Sequence, residues 1–224
     1  MRSVNAELTV FDLIRHGEPQ GGRKFRGSTD HPLSELGWQQ MKEAVAELAP
    51  WDAIVTSPLL RCREFAEWLG DRHHLQVTVD EDLVELYLGG WEGLTHAEAR
   101  AKYPPQGDEP DSVTAFWTAP LDCPPPEGET LTAFDQRIAA AWQRMNERFA
   151  GQHVLVVAHL FTCNFLIRQV LQQPLARALS FDIPYAGLTR IRREIGPDGE
   201  VSQLEWVGMN LLPQRAPQGL AEGR

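Results

Sequence analysis

Short apolar runs alternate with amphipathic stretches along most of the chain. Short apolar runs predict buried strands at residues 8–14, 53–56 and 153–158. An alternating run predicts a further strand at residues 75–79. Apolar positions at helical spacing predict helices at residues 34–49, 57–69, 130–149 and 161–171. Because strands and helices alternate, the pattern predicts an α/β protein with three layers, in which helices cover both faces of a mostly parallel central sheet.

Two serines mark predicted helix starts. Ser34 is the predicted N-cap of the first helix, which Pro50 ends. Ser57 and Pro58 are interpreted as the N-cap and the first-turn proline of the second helix. This interpretation places Arg61 in the first turns of that helix.

The second half of the chain departs from the alternation in two places. Residues 104–128 are rich in proline, glycine and acidic residues, which predicts an irregular, lid-like excursion with one short helix. Residues 188–195 and 201–207 predict a hairpin at an edge of the sheet. We expect one domain over residues 1–212, followed by a loose polar tail at residues 213–224.

Composition and charge narrow the possible partners. The chain has 224 residues, of which 42% are hydrophobic, and a formal net charge of −10. An acidic surface repels polyanions, so we expect no nucleic-acid partner. Three cysteines without close spacing suggest reduced thiols, and no apolar run has membrane-spanning length. These features predict a cytoplasmic protein that has no membrane partner and whose oligomeric state is open, a homodimer being one option.

Two histidines follow predicted strands directly. Arg15, His16 and Gly17 end the first strand, and His159 ends the strand at residues 153–158. In open α/β sheets, ligands bind beyond the carboxyl ends of the strands, so both histidines are expected at one edge. A cation, an imidazole and a glycine at a strand end suit a small anion such as phosphate.

The chemistry of a phosphoryl group suggests roles for these residues and for two others. A neutral His16 could attack phosphorus, while Arg61 grips the phosphate oxygens in a bidentate manner. His159 would stabilise developing charge, and Glu85 could protonate the leaving alcohol and then activate water. This set requires no cofactor and no metal.

Each of these residues also has an ordinary structural interpretation. An Arg-His dipeptide recurs by chance, Arg61 could be a surface charge of a helix, and Glu85 could be a solvated carboxylate. His159 and Cys163 are four residues apart and could contact zinc, but two ligands fall short of the three or four that zinc needs. The joint arrangement favours the catalytic interpretation.

The sequence LIRHGE at residues 13–18 resembles the signature of the histidine phosphatase superfamily, which has the phosphoglycerate mutase-like fold. Later blocks resemble those of the family in the same order, namely FRGSTDHPLSELGWQQ, TSPLLRC, ELYLGGWEGL, PEGET and VLVVAH. The resemblance implies that His16 is the phosphorylated nucleophile and Glu85 the proton donor. It also implies that Arg15, Arg61 and His159 are phosphate ligands.

Within that family, GEPQGGRKFRG at residues 17–27 is most similar to cobalamin-pathway phosphatases that act on α-ribazole 5′-phosphate. Gly22 stands where the family commonly has a phosphate-binding asparagine, so Arg23 or Arg26 is expected to substitute. The family usually has small residues after the second histidine, whereas Leu160 and Phe161 follow it here.

Two aromatic residues are candidates for contact with the leaving group. Phe116 and Trp117 lie in the predicted lid and could stack on an aromatic leaving group. Tyr87 stands where the family frequently has an aspartate.

Three alternatives to this hydrolase of small phosphate esters remain open from the sequence. One is a phosphatase of broad specificity for sugar or nucleotide esters, and another is a phosphotransferase of the phosphoglycerate mutase type. A mutase should surround its anionic substrate with cations, but residues 104–128 contain no Lys or Arg. The third alternative is a non-catalytic module that binds phosphate.

Overall fold

The protein forms one six-stranded mixed sheet. The computed structural model describes residues 7–46, 48, 50–196 and 199–209. The strands are β1 (Glu7–Arg15), β2 (Ala53–Thr56), β3 (Gln76–Val79), β4 (His153–Ala158), β5 (Leu188–Gly196) and β6 (Gly199–Met209). Their order in the sheet is β3-β2-β4-β1-β5-β6. The first four in that order are parallel, whereas β5 and β6 are antiparallel to their neighbours, which confirms the predicted mostly parallel sheet and its edge hairpin.

Helices cover both faces of the sheet, as predicted. The α-helices are α1 (Glu35–Val45), α2 (Leu60–His73), α3 (His96–Lys102), α4 (Ser112–Thr118), α5 (Leu131–Arg148) and α6 (Leu160–Leu171). Residues of α1 and α2 bury their apolar side chains in one cluster, and residues of α4, α5 and α6 bury theirs in the other. The fold is therefore three-layered.

The central strand β4 shows why its sequence is apolar at almost every position. Val154 and Val156 contribute to the cluster beneath α5 and α6, whereas Leu155 and Val157 contribute to the cluster beneath α1 and α2. A parallel strand with helices on both sides has no solvent-facing side, so its sequence does not alternate.

Two predicted helix boundaries were wrong. The second helix begins at Leu60 and not at Pro58, with Leu59 at its N-cap. The hydroxyl of Ser57, the predicted cap, lies 2.7 Å from His159 Nε2. Its contact with the Leu59 amide is longer, at 3.4 Å. The first helix does have Ser34 as its N-cap, but it ends at Val45, before Pro50 is reached.

The segment at residues 104–128 contains one short helix, α4. Asp111 caps it by accepting hydrogen bonds from the amides of Val113 and Thr114, both at 3.1 Å. The predicted tail at residues 213–224 lies outside the described residues. Within the described part of the chain, no helix is both long and apolar enough to cross a bilayer.

Candidate active site

The site lies where β1 and β4 end side by side. The amide of His16 donates to the Ala158 carbonyl at 2.9 Å, which extends the parallel pairing of the strands. His159 follows Ala158 directly, and the rings of His16 and His159 lie with their centroids 5.2 Å apart. The sheet edge thus brings together two histidines that are separated by most of the chain.

Gly17 lets the chain turn closely behind His16. A Cβ atom on Gly17 would collide with the backbone of Gly37, and one on Gly37 would collide with the backbone of Glu18. The loop after β1 therefore packs directly on the first turn of α1. This contact fixes the backbone that carries His16.

The His16 ring is held in one tautomer. Its Nδ1 lies 2.7 Å from the carbonyl oxygen of Gly17, and a carbonyl only accepts, so Nδ1 carries the proton. Nε2 therefore keeps its lone pair. Burial, with the positive charges of Arg61 and Arg15, holds the pKa of His16 well below its usual range. The imidazole is neutral and nucleophilic at physiological pH.

Arg61 connects the second histidine to a neighbouring loop. Its Nε donates to His159 Nδ1 at 3.2 Å, and its terminal nitrogens donate to the carbonyls of Thr29 and Gly27, both at 2.8 Å. His159 Nε2 then donates to Ser57 Oγ at 2.7 Å. Burial, followed by the charge of Arg61, lowers the pKa of His159 well below its usual range. Arg61 is only 1% exposed, so its cation is held deep in the site.

Arg15 lies against the segment that precedes β5. Its Nη1 donates to the Ile183 carbonyl at 2.5 Å, and its guanidinium carbon lies 4.3 Å from the centroid of the Tyr185 ring. The same tyrosine ring lies 5.7 Å from the His16 ring. Tyr185 thus contacts both members of the Arg15-His16 pair.

Glu85 lies six residues beyond β3, after a 3₁₀ turn at Glu81–Leu83. Its carboxylate accepts from the amides of Phe161 at 3.1 Å and Thr162 at 3.2 Å, in the first turn of α6. Burial raises the pKa of Glu85, and the hydrogen bonds from Phe161 and Leu86 only partly oppose that effect. A raised pKa keeps a larger fraction of the carboxyl protonated, as a general acid requires.

The two arginines expected to replace the missing asparagine lie in different places. Arg26 is 9% exposed and donates to the carbonyls of Gln20, Gly22 and Lys24, and its charge contributes to the low pKa of His16. Arg23 is exposed, and its charge acts on the pKa of His96. Arg26 is therefore buried close enough for its charge to act on His16.

The prediction that Phe116 stacks on a leaving group is wrong in this structure. Its ring is 1% exposed and packs edge-on against Trp91, because α4 turns its apolar side toward the core. Trp117 is 48% exposed, and its ring centroid lies 6.1 Å from that of Phe161. Leu160 is partly buried and packs on the same core. Of these side chains, Trp117 alone is exposed enough to contact a ligand.

The site has positive charge that favours binding of an anion. Arg15, Arg61 and Arg26 surround neutral histidines, and the carboxylate of Glu85 is bonded by backbone amides and not by these arginines. Preorganised cations of this kind stabilise a phosphoryl group, whose charge spreads over its oxygens. Across the part of the chain that the structure describes, no three His, Cys, Asp or Glu side chains converge as a metal site.

Sequence reasoning missed three residues of the site. The sequence predicts Ser57 as a helix cap, although a serine directly after a strand can equally face the sheet edge. Tyr185 gave no signal. Glu92, within WEG, accepts from the Ser28 amide at 2.7 Å and the Thr29 hydroxyl at 2.6 Å, and so holds the loop whose carbonyls anchor Arg61.

Comparison with known sequences agrees with this geometry. The family profile described as the histidine phosphatase superfamily (branch 1) matches residues 11–204. The bifunctional protein Rv2228c of Mycobacterium tuberculosis is 34% identical over 164 residues, which are 71% of this chain and 43% of that protein. The chain thus spans less than half the length of this relative.

Two shorter relatives match over most of their length. An uncharacterised phosphatase of Bacillus subtilis, PhoE, is 30% identical over 73% of this chain and 78% of its own. The adenosylcobalamin/alpha-ribazole phosphatase of Salmonella typhimurium is 28% identical over 76% of this chain and 84% of its own.

Solved structures show the same fold. YhfR of Bacillus stearothermophilus superposes with a TM-score of 0.77 at 31% identity, covering 89% of this chain and 96% of that one. A mycobacterial glucosyl-3-phosphoglycerate phosphatase superposes with a TM-score of 0.76 at 26% identity, covering 90% and 99% of the two chains.

Proposed function

The chain belongs to the histidine phosphatase superfamily, and on that premise we propose that it hydrolyses small phosphate monoesters through a phosphohistidine on His16, without a metal. One observation carries the proposal. The Gly17 carbonyl accepts the Nδ1 proton of His16, which leaves the Nε2 lone pair free in a buried ring that feels the positive charges of Arg61, Arg15 and Arg26.

In the first step, His16 Nε2 attacks phosphorus and the ester bond breaks. Arg15 and Arg61 hold the oxygens of the transferring group, and His159 keeps Arg61 in place through their shared hydrogen bond. The protonated Glu85 gives its proton to the departing alkoxide, so that an alcohol leaves. The products are phosphohistidine and ionised Glu85.

In the second step, water replaces the alcohol. The Glu85 carboxylate accepts a proton as the water oxygen attacks phosphorus, and the N–P bond breaks to release inorganic phosphate. His16 regains its lone pair and Glu85 its proton. The amides of α6 that bond the carboxylate stabilise its ionised form between the two steps.

The exposed ring of Trp117, which packs against Phe161, supports an ester whose alcohol carries an aromatic or heterocyclic group. α-Ribazole 5′-phosphate has such an alcohol, and the Salmonella relative is named for that activity. The acidic residues at 104–128, without Lys or Arg, disfavour a second strongly anionic group on the substrate. This charge favours hydrolysis over the transfer carried out by phosphoglycerate mutases.

The test is steady-state hydrolysis in EDTA of α-ribazole 5′-phosphate beside p-nitrophenyl phosphate, 3-phosphoglycerate and common sugar phosphates. We expect turnover in EDTA and the highest kcat/KM for the ribazole ester. Equal turnover of all the esters would refute the preference while leaving the chemistry intact. No turnover of any ester would refute the hydrolase and favour a binding module.

A further inference from the structure

Arg137 of α5 lies behind the segment that carries Glu85. It donates to three carbonyls at or just before Glu85, those of Asp82 at 2.5 Å, Val84 at 2.7 Å and Glu85 at 3.2 Å. It also binds the carboxylate of Glu129 in a bidentate manner, at 2.8 and 2.9 Å. These bonds use all five N–H donors of a guanidinium.

The segment from 84 to 88 lies between two 3₁₀ turns, Glu81–Leu83 and Gly89–Trp91, and belongs to no strand or helix. Its carbonyls therefore need partners from elsewhere. Arg137 supplies partners for the carbonyls of Val84 and Glu85. Glu129 adds a further contact, because its amide donates to the Tyr87 carbonyl at 2.8 Å. A fork of five donors fixes both position and direction, which a lysine cannot do.

Glu85 is thus held from two helices. The amides of α6 bond its carboxylate, and Arg137 of α5 bonds its backbone. A general acid acts only when its proton lies within hydrogen-bond reach of the leaving oxygen. A shift of the backbone by a fraction of an ångström would weaken that contact while leaving His16 and the arginines undisturbed.

We propose that Arg137 is the positioning residue of Glu85, and that with Glu129 it sets how well the enzyme expels poor leaving groups. The proposal rests on the proposed function. It separates two tasks of the site, since phosphate binding and attack depend on the strand ends whereas proton donation depends on α5.

The experiment compares two aromatic phosphate esters whose leaving groups differ in how much they depend on protonation by a general acid. p-Nitrophenyl phosphate releases a stable anion, whereas benzyl phosphate releases an alkoxide that must be protonated. The parameter is kcat/KM, because it includes only the steps up to departure of the leaving group. For Arg137→Gln we expect a loss of about 100-fold with benzyl phosphate and less than about 10-fold with p-nitrophenyl phosphate.

Arg144→Gln is the matched control. Arg144 is also in α5 and binds the nearby carboxylates of Asp80 and Asp82, at 2.8 and 2.7 Å, but it is half exposed and bonds no carbonyl of the Glu85 segment. We expect its ratio of the two kcat/KM values to equal that of the wild type. In a Glu85→Gln background, Arg137→Gln should change the ratio of the two kcat/KM values little further, because the general acid is already absent.

Equal losses with both esters, or the same change of ratio in Arg144→Gln, would overturn the proposal. If thermal denaturation shows that Arg137→Gln is unfolded, Glu129→Gln is measured in its place. We expect the ratio of the two kcat/KM values to change in the same direction but by less. An unchanged ratio would overturn the proposal. A wild-type protein that cleaves neither ester would refute the proposed function itself, which is a different outcome.

Discussion

Two buried polar clusters lie on the same pair of strands and have opposite electrostatic character. The first is the site around His16 and His159, at the carboxyl ends of β1 and β4. The second surrounds Asp12 in the middle of β1, where Arg190 binds the carboxylate in a bidentate manner at 2.6 and 2.7 Å. His153 and Trp51 donate to the same carboxylate, at 2.8 and 2.9 Å.

The difference is whether the chain supplies the anion. Burial alone would raise the pKa of Asp12, but the hydrogen bonds from Arg190, His153 and Trp51 outweigh it and the pKa is lowered. That cluster is complete, because its cation and its carboxylate compensate each other. At the site, Arg15 and Arg61 lie beside imidazoles that their lowered pKa values keep neutral, and within the described residues no carboxylate hydrogen-bonds either guanidinium. Similar residue types therefore stabilise the fold in one place and, under the proposed function, bind substrate in the other.

The largest expected effect is that of His16→Ala. Deleting a covalent nucleophile should reduce kcat by about 10⁴-fold or more with every ester. Because the substitution also removes a desolvated imidazole, the melting temperature should not fall by more than a few degrees. Steady-state kinetics and thermal denaturation measure both, and a variant that retains activity would contradict the assigned role.

Asp12→Ala should show the reverse pattern. It leaves Arg190 and His153 without their anion, which costs about 3 kcal/mol in the free energy of unfolding, while kcat/KM at low temperature stays near that of the wild type. The lowered pKa of Asp12 means that its stabilisation is present above the unfolded value of about 3.9 and is lost as the pH falls through the folded pKa.

Urea denaturation at several pH values tests this expectation. The difference in unfolding free energy between wild type and Asp12→Ala should shrink below about pH 4. A constant difference, or a large fall in kcat/KM at neutral pH, would mean that the two clusters are not independent.

The pH profile of kcat/KM should reflect the lowered pKa of His16 and the raised pKa of Glu85. Because burial lowers the pKa of His16, protonation of the nucleophile should reduce activity only well below the usual histidine value of about 6.5. Because burial raises the pKa of Glu85, its proton is lost, and the rate with benzyl phosphate falls, as the pH rises through that raised value.

Glu85→Gln isolates the basic limb of that profile. The ionisation of the substrate is the same for both proteins, so a limb that disappears in the variant belongs to Glu85. We expect it to disappear, with about a 100-fold loss at the optimum for benzyl phosphate. An unchanged basic limb would assign it to another group.

The smallest expected effect is that of Trp117→Ala at the rim. Loss of one stacking surface, worth about 0.5–1.5 kcal/mol, should lower kcat/KM for aromatic esters by about 2- to 10-fold and leave glycerol phosphate nearly unchanged. Leu121→Ala is the matched control, since it also removes an exposed apolar side chain of the 104–128 segment. A uniform loss over all esters would show that Trp117 supports the fold and does not contact the leaving group.

The sequence could predict those parts of the fold and site that depend on local pattern. The apolar runs identified β2 and β4 at their observed bounds, and the polar residues directly after the strands identified His16 and His159. Strand ends can be recognised because burial stops abruptly there, and the topology then places them at one edge.

The rest depended on contacts between distant segments. Ser57 resembles a helix cap in sequence, but its position beside His159 comes from the pairing of β2 with β4. Phe116 and Trp117 are adjacent in an irregular segment, and only the orientation of α4 decides which ring is buried. Arg137 looks like any arginine on an amphipathic helix until the carbonyls of the Glu85 segment lie against it.

Trapping a phosphoenzyme tests the nucleophilic role of His16 most directly. The protein is mixed with a ³²P-labelled phosphate monoester, quenched in base, where phosphohistidine survives, and digested for peptide mapping. We expect acid-labile label on His16 that is absent from His16→Ala. Label on another residue, or continued turnover with no label trapped on a rapid time scale, would contradict it.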